Sequence, residues 1–144
     1  MDCRVLAVLV VLAAAAGGCN SENVPGLGRV TGTVKLDGKP VPNAAISFEP
    51  VDGSAGTAVG RTDANGVYEL YYSRGNKGAK VGENIVRISN FQEAGESTPG
   101  QKETIPARYN IKSDLKVVVK SGQNTHDFDL KSGGEIIQPN TEGS

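Results

Sequence analysis

The sequence predicts an all-β fold, a two-sheet antiparallel sandwich, and three observations carry that reading. After residue 28 no stretch sustains the 3.6-residue apolar period of an amphipathic helix. Apolar and polar residues alternate instead in short segments, as in half-buried strands. Turn-forming Asp, Asn, Gly and Pro separate those segments. About seven such segments in about 100 residues match the strand density of a sandwich.

Residues 1–18 stand apart from this pattern. Val5 to Ala16 is an apolar run without a charge. It is too short for a spanning helix, which needs about 20 residues, and it fits the apolar region of a signal peptide. Ala16-Gly17-Gly18-Cys19 follows and resembles a bacterial lipobox. There, small side chains fit a peptidase cleft and the cysteine thiol takes a diacylglyceryl group. The resemblance implies cleavage before Cys19, lipid attachment at Cys19 and anchoring to a bacterial membrane, outer or inner, on its periplasmic or surface side. Acylation of the new N-terminus adds the further chain that stable anchoring needs. Removal of the leader takes Asp2 and Arg4 together and leaves the net charge at −1.

Residues 19–28 read as a tether of about 30 Å at most, and 29–131 as the sandwich. Val30, Gly32, Val34 and Leu36 alternate with Thr31, Thr33 and Lys35, and Asp37-Gly38 offers a tight turn. Ala44, Ile46 and Phe48 form the next core face, ended by Pro50. Thr57 to Thr62 is a weaker strand. Asp63-Ala64-Asn65-Gly66 is the strongest turn signal, since Asp and Asn bond their own backbone and Gly takes a positive φ. Tyr68, Leu70 and Tyr72 then share one face, with Val67, Glu69 and Tyr71 opposite. Val86 and Ile88 mark the core side of another strand. Leu115, Val117 and Val119 mark the sixth, and Ser121-Gly122-Gln123-Asn124 is expected to turn the chain. His126, Phe128 and Leu130 share the core side of the seventh strand. Residues 132–144 lack aromatics and are expected to be a disordered tail.

Composition excludes several functions. Fifteen Lys+Arg against 16 Asp+Glu, with no run of like charge, deny nucleic acid its main affinity term. Both cysteines, Cys3 and Cys19, lie in the first nineteen residues, so the body has no disulfide framework and no thiolate metal cluster. One histidine, His126, makes no multi-histidine metal site.

Val30-Thr31-Gly32-Thr33-Val34, Asp37-Gly38, Pro42-Asn43-Ala44-Ala45-Ile46-Ser47-Phe48 and Thr62-Asp63-Ala64-Asn65-Gly66-Val67-Tyr68 together resemble a carboxypeptidase regulatory-like domain. Ile105-Pro106-Ala107-Arg108-Tyr109-Asn110, Ser113-Asp114-Leu115 and Phe128-Asp129-Leu130 are similar to segments of small planctomycete-type envelope lipoproteins. The resemblance spans residues 29–130. It implies a seven-stranded Greek-key sandwich of the transthyretin (prealbumin) type. It also implies an accessory, adhesive or carbohydrate-associated role, without catalytic residues. In physical terms the motifs serve folding: Gly32 in mid-strand signals close backbone approach or a bulge, and Tyr68 packs with its hydroxyl free to find a partner.

Catalysis by His126 needs a partner nucleophile, and no spacing supplies one. The hydrolases of the transthyretin fold use two histidines and a C-terminal Tyr-Arg-Gly-Ser, whereas this chain ends Thr141-Glu142-Gly143-Ser144. Asp63 and Asn65 offer calcium too few oxygens. Lys35 has the polar parity of Thr31 and Thr33, so no isopeptide crosslink is expected. Gln92 to Pro106 is the longest loop and contains no nucleophile–base pair. Tyr71, Arg108 and Tyr109 are the candidate ligand-surface residues. No catalytic residue, cofactor or metal is expected. The expectation is a non-enzymatic envelope lipoprotein, anchored through its lipid, that presents the sandwich for structural or protein-interaction roles, with an envelope protein or polysaccharide as the partner. The alternative is a carbohydrate- or cell-wall-binding module.

Overall fold

The structure, a computed structural model, describes residues 26–53 and 56–139. Within them the chain forms β1 (Leu27–Leu36), β2 (Lys39–Pro40), β3 (Ala45–Pro50), β4 (Ala58–Arg61) and β5 (Val67–Glu69). There follow β6 (Ala79–Lys80), β7 (Gly82–Ser89), β8 (Lys116–Val119), β9 (Gly122–Thr125) and β10 (Phe128–Leu130). Two short 3-10 turns, Ser73–Gly75 and Ala107–Tyr109, are the remaining regular elements. The chain is all-β in two sandwiched sheets. Ten strands appear where seven are expected, the additions being the short β2, β6 and β9.

The first sheet is organised around β1. Gly28, Thr31 and Lys35 each have a strand partner on both edges. Along one edge lie β6, β5 and β2, all antiparallel; along the other lie β9 and β10, both parallel to β1. The parallel pairing departs from a wholly antiparallel sandwich. The second sheet runs β4-β3-β7-β8 and is antiparallel throughout. The sheets meet where Val59 and Tyr71 exchange backbone hydrogen bonds of 2.9 and 2.8 Å.

Period-2 alternation accounts for the core. Val30, Val34, Tyr68 and Leu70 from the first sheet and Ile46, Phe48, Val86 and Ile88 from the second are all buried in one cluster. Phe48 meets Phe128 edge-on across the layers, ring centres 6.3 Å apart. Lys35 is exposed, as its parity predicts. The Asp63 turn also forms as read: its carboxylate accepts from the Asn65 and Val67 N–H at 2.8 and 3.0 Å, and Gly66 sits at φ 76°.

Gly32 is the close approach its position suggested. A Cβ there would lie 1.9 Å from the His126 carbonyl oxygen and 3.0 Å from the Tyr68 ring. The edge strand breaks between β9 and β10 at this point. Tyr68 donates its hydroxyl to the His126 carbonyl at 2.6 Å, and Asp127 accepts from both the Thr33 backbone N–H and hydroxyl.

Three further expectations are corrected. Ser121-Gly122-Gln123-Asn124 does not simply turn the chain, because Gly122–Thr125 is β9. A locally turn-like composition has been overridden by pairing with a strand some 90 residues away. Leu27 and Gly28, expected in the tether, already belong to β1. Residues 132–139 are not a free tail: they lie along the sandwich, held by bonds described below. The leader, Cys19 and residues 140–144 lie outside the described residues.

Candidate functional site

Strand direction gives the sandwich two ends. The chain arrives at one through Gly26, whose carbonyl accepts from Val81 N–H at 2.8 Å. Residues 51–53, 71–81 and 119–122 belong to this arrival end. The Asp37 and Asp63 turns, residues 90–113 and residues 131–139 belong to the opposite, distal end. Some ten residues of β1 at about 3.3 Å each put the ends roughly 30 Å apart.

The candidate ligand-surface residues divide between these ends. Tyr71 is at the arrival end, 41% exposed. Its hydroxyl bonds Glu69, whose carboxylate also pairs with Lys77 at 3.0 Å. Lys77, then Tyr71, hold the Glu69 carboxyl below its ordinary range. Arg108 and Tyr109 lie on the distal 3-10 turn and are already engaged. The Arg108 guanidinium donates to the carbonyls of Lys131 and Gly133, and its Cζ stacks 4.7 Å from the Tyr109 ring centre. The Tyr109 hydroxyl accepts from Lys131 N–H at 3.1 Å. Burial works against ionisation of that phenol, yet the Lys131 bond and Arg108 bring it below the usual tyrosine range. Tyr71 therefore shares no site with the other two.

The densest polar arrangement was not read from the sequence. Glu103 is only 3% exposed. Its carboxylate accepts from the Ser89 hydroxyl, from Asn90 N–H at 3.2 Å and from Ile105 N–H at 3.0 Å. Asn90 and Thr104 bond reciprocally at 2.7 and 2.9 Å. The Asn110 amide donates to the Ile88, Ile105 and Pro106 carbonyls, and Ser113 caps the Val86 carbonyl at 2.5 Å. This clasp completes the edge of β7 beyond Ile85, where β8 pairing stops. The sequence signal is the apolar run Ile105-Pro106-Ala107, which starts two residues after Glu103 inside an otherwise polar loop.

Residues 132–139 cover the clasp. Ala107 N–H donates to the Glu135 carbonyl at 2.8 Å, and Gln138 bonds both the N–H and carbonyl of Glu103 at 3.0 and 2.9 Å. Beside it, the loop from Gln92 closes on itself through two 2.9 Å bonds to Gln101. An open depression of about 280 Å³ lies along it, walled by Phe91, Ala94 and Lys102 among others.

His126 packs its ring 6.0 Å from Phe48, and its buried Nε2 has no hydrogen-bond partner. No group of three or more His, Cys, Asp or Glu gathers in metal-holding geometry among the described residues. No helix among them is long and apolar enough to cross a membrane.

Fold and site together define a small β-sandwich whose buried polar side chains bond mainly backbone groups, with Asn84 Oδ1 and His126 Nε2 left without a partner. No family model matches the chain, and no curated protein matches it. Among solved structures it is similar to a 9R-lipoxygenase from Cyanothece PCC8801, at 21% identity and a TM-score of 0.38. The match covers 74% of this chain and 16% of the lipoxygenase chain. A likeness at that level carries no argument about fold type or activity.

Proposed function

We propose that the chain is a non-enzymatic, lipid-anchored envelope protein that holds a small sandwich at a bacterial membrane for structural or protein-interaction purposes. The observation that carries the proposal is Cys19, preceded by Ala16-Gly17-Gly18 and the apolar run Val5–Ala16, with a folded strand beginning only eight residues later at Leu27. The body supports a scaffold role. Among its buried polar side chains, Thr62, Tyr68, Glu103, Asn110 and Asn124 are engaged with backbone N–H and carbonyl groups.

The carboxypeptidase regulatory-like, transthyretin-type reading belongs to the same proposal. Counting β9 and β10 as one interrupted strand, and setting aside the two-residue β2 and β6, leaves seven strands. The resembling motifs have folding duties in keeping with it: Gly32 admits the His126 carbonyl, Asp63 closes its turn and Tyr68 bonds across the strand break.

The test is fractionation of Cys19→Ser in a bacterium that processes lipoproteins. The wild-type chain is expected in the membrane fraction, and the variant is expected to leave it. Wild-type protein recovered wholly in the soluble fraction would overturn the proposal.

A second reading, a polysaccharide- or cell-wall-binding module, rests on the exposed ring of Tyr71. It expects retention on envelope polysaccharide that is lost in Tyr71→Ala.

A further inference from the structure

We infer that the arrival end of the sandwich is its membrane-facing surface, seated on phospholipid headgroups. The inference deepens the lipid-anchor reading and rests on it.

The chain's path comes first. Six residues lie between Cys19 and Gly26, and the seven steps reach at most about 25 Å. Gly26 and Leu27 are fixed at the arrival end by pairing with Val81 and Lys80. Lipid attached to Cys19 therefore lies nearest this end, while the distal turns are about 30 Å further along β1.

The surface at this end suits an interface with headgroups. Val51, Val81 and Val118 are 43%, 39% and 54% exposed, and all three gather around Glu83. Val51 N–H donates to the Glu83 carbonyl at 3.0 Å, Val118 pairs with Glu83 across β7 and β8, and Val81 precedes it by two residues. Glu83 is itself met by Lys116 at 3.6 Å. The strand ends and loops of this same end carry Arg29, Arg74, Lys77, Lys80 and Lys120 against Asp52, Glu69 and Glu83. Arg74, exposed, stands in the Ser73–Gly75 turn in the left-handed region, φ 59°. An excess of cations around exposed aliphatic side chains matches anionic headgroups over an acyl boundary. The attraction falls off within about 10 Å at ordinary salt, so it selects one end of a molecule about 30 Å long. The distal end exposes Ile111 and Ile136 as well, 64% and 46%, so charge separates the two ends: the loop there carries Glu93 and Glu96, which an anionic surface repels.

The test uses the full-length, acylated chain reconstituted in phosphatidylethanolamine–phosphatidylglycerol vesicles. After leader removal and acylation of Cys19, an introduced cysteine is the single thiol. Fluorophores are placed at Val81→Cys, Val118→Cys or Arg74→Cys, and at Asn65→Cys or Ala94→Cys. Quenching by headgroup-labelled lipid is expected to be at least threefold greater at the first three positions than at the last two. In the double variant Lys80→Glu/Lys120→Glu that contrast is expected to shrink towards onefold. Equal quenching at both ends, or stronger quenching at Asn65, in chains that float with vesicles and have an acylated Cys19 overturns the orientation alone. Chains that do not float overturn the anchor and the orientation together.

Discussion

At the arrival end of the sandwich, backbone packs directly on backbone; at the distal end, side chains hold segments that never join a ladder. Gly28 shows the first mode. A Cβ there would lie 2.0 Å from the Lys120 carbonyl oxygen, and one on Gly78 would lie 2.4 Å from the Gly28 carbonyl. Glu103 shows the second, its carboxylate serving two backbone N–H groups and a hydroxyl on separate stretches of chain. The difference teaches where each end is vulnerable. The first fails when a side chain is added, and the second when one is removed.

The largest expected effect breaks the arrival end. Gly28→Ala collides with a carbonyl that cannot yield without shifting the strand, and should cost about 4 kcal/mol. Gly53→Ala is its control. It meets nothing within 4 Å and pays only for its positive φ, about 1 kcal/mol. Urea unfolding of both variants checks the contrast, and equal losses would erase the distinction drawn for this end.

Next comes the distal clasp. Glu103→Ala strands three donors in a buried site and should cost about 3 kcal/mol by the same measurement. A loss under about 1 kcal/mol would mean that the clasp does not hold the distal end.

Between the ends, Tyr68→Phe removes the 2.6 Å bond to the His126 carbonyl and should cost about 1 kcal/mol at neutral pH. Burial, with the Asp127 charge adding to it, pushes the Tyr68 phenol far above its ordinary value. The folded state therefore favours the neutral phenol. This contribution is fully present below about pH 10, where an unfolded tyrosine ionises, and is lost as pH rises further. Wild-type stability should fall by about 1.4 kcal/mol per pH unit above that point. Tyr68→Phe should lack this fall, which stability curves from pH 9 to 11 would reveal.

The smallest effect concerns the docked tail. Deleting residues 132–144 removes the Gln138 and Glu135 bonds, whose gain is offset by the entropy of ordering the segment. A loss of about 1 kcal/mol is expected, with faster amide exchange across residues 103–110. Bonds from Ser132 hold the Asp37 carboxyl below its ordinary range. The stability this gives is present above the usual carboxylate range and lost as pH falls through the lowered value. In the deletion variant, NMR titration should find Asp37 back in the ordinary range.

The strands and the core were legible in the sequence because both follow from local alternation. Val30, Val34, Ile46, Phe48, Val86 and Ile88 are buried where parity put them. Gly32 was legible because a glycine in mid-strand has few other uses. β9 was not, since Gly122-Gln123-Asn124 has turn composition and its partner in β1 leaves no local trace. Tyr72 shares the parity of Tyr68 but is only half-buried, because β5 ends at Glu69. The tail is illegible for a related reason: its sequence lacks aromatic residues, while its attachment runs through carbonyls taken by Arg108 and Ala107. Glu103 and Asn110 read as loop polarity, since the burial that gives them meaning comes only from the completed fold.

The measurement that bears most directly on the account is the mass of the N-terminal peptide from protein isolated from its native membrane. The account expects a peptide that starts at Cys19 and carries a thioether-linked diacylglyceryl group with a further acyl chain on the new amine. A peptide that starts at Met1, or an unmodified Cys19 thiol, would contradict it.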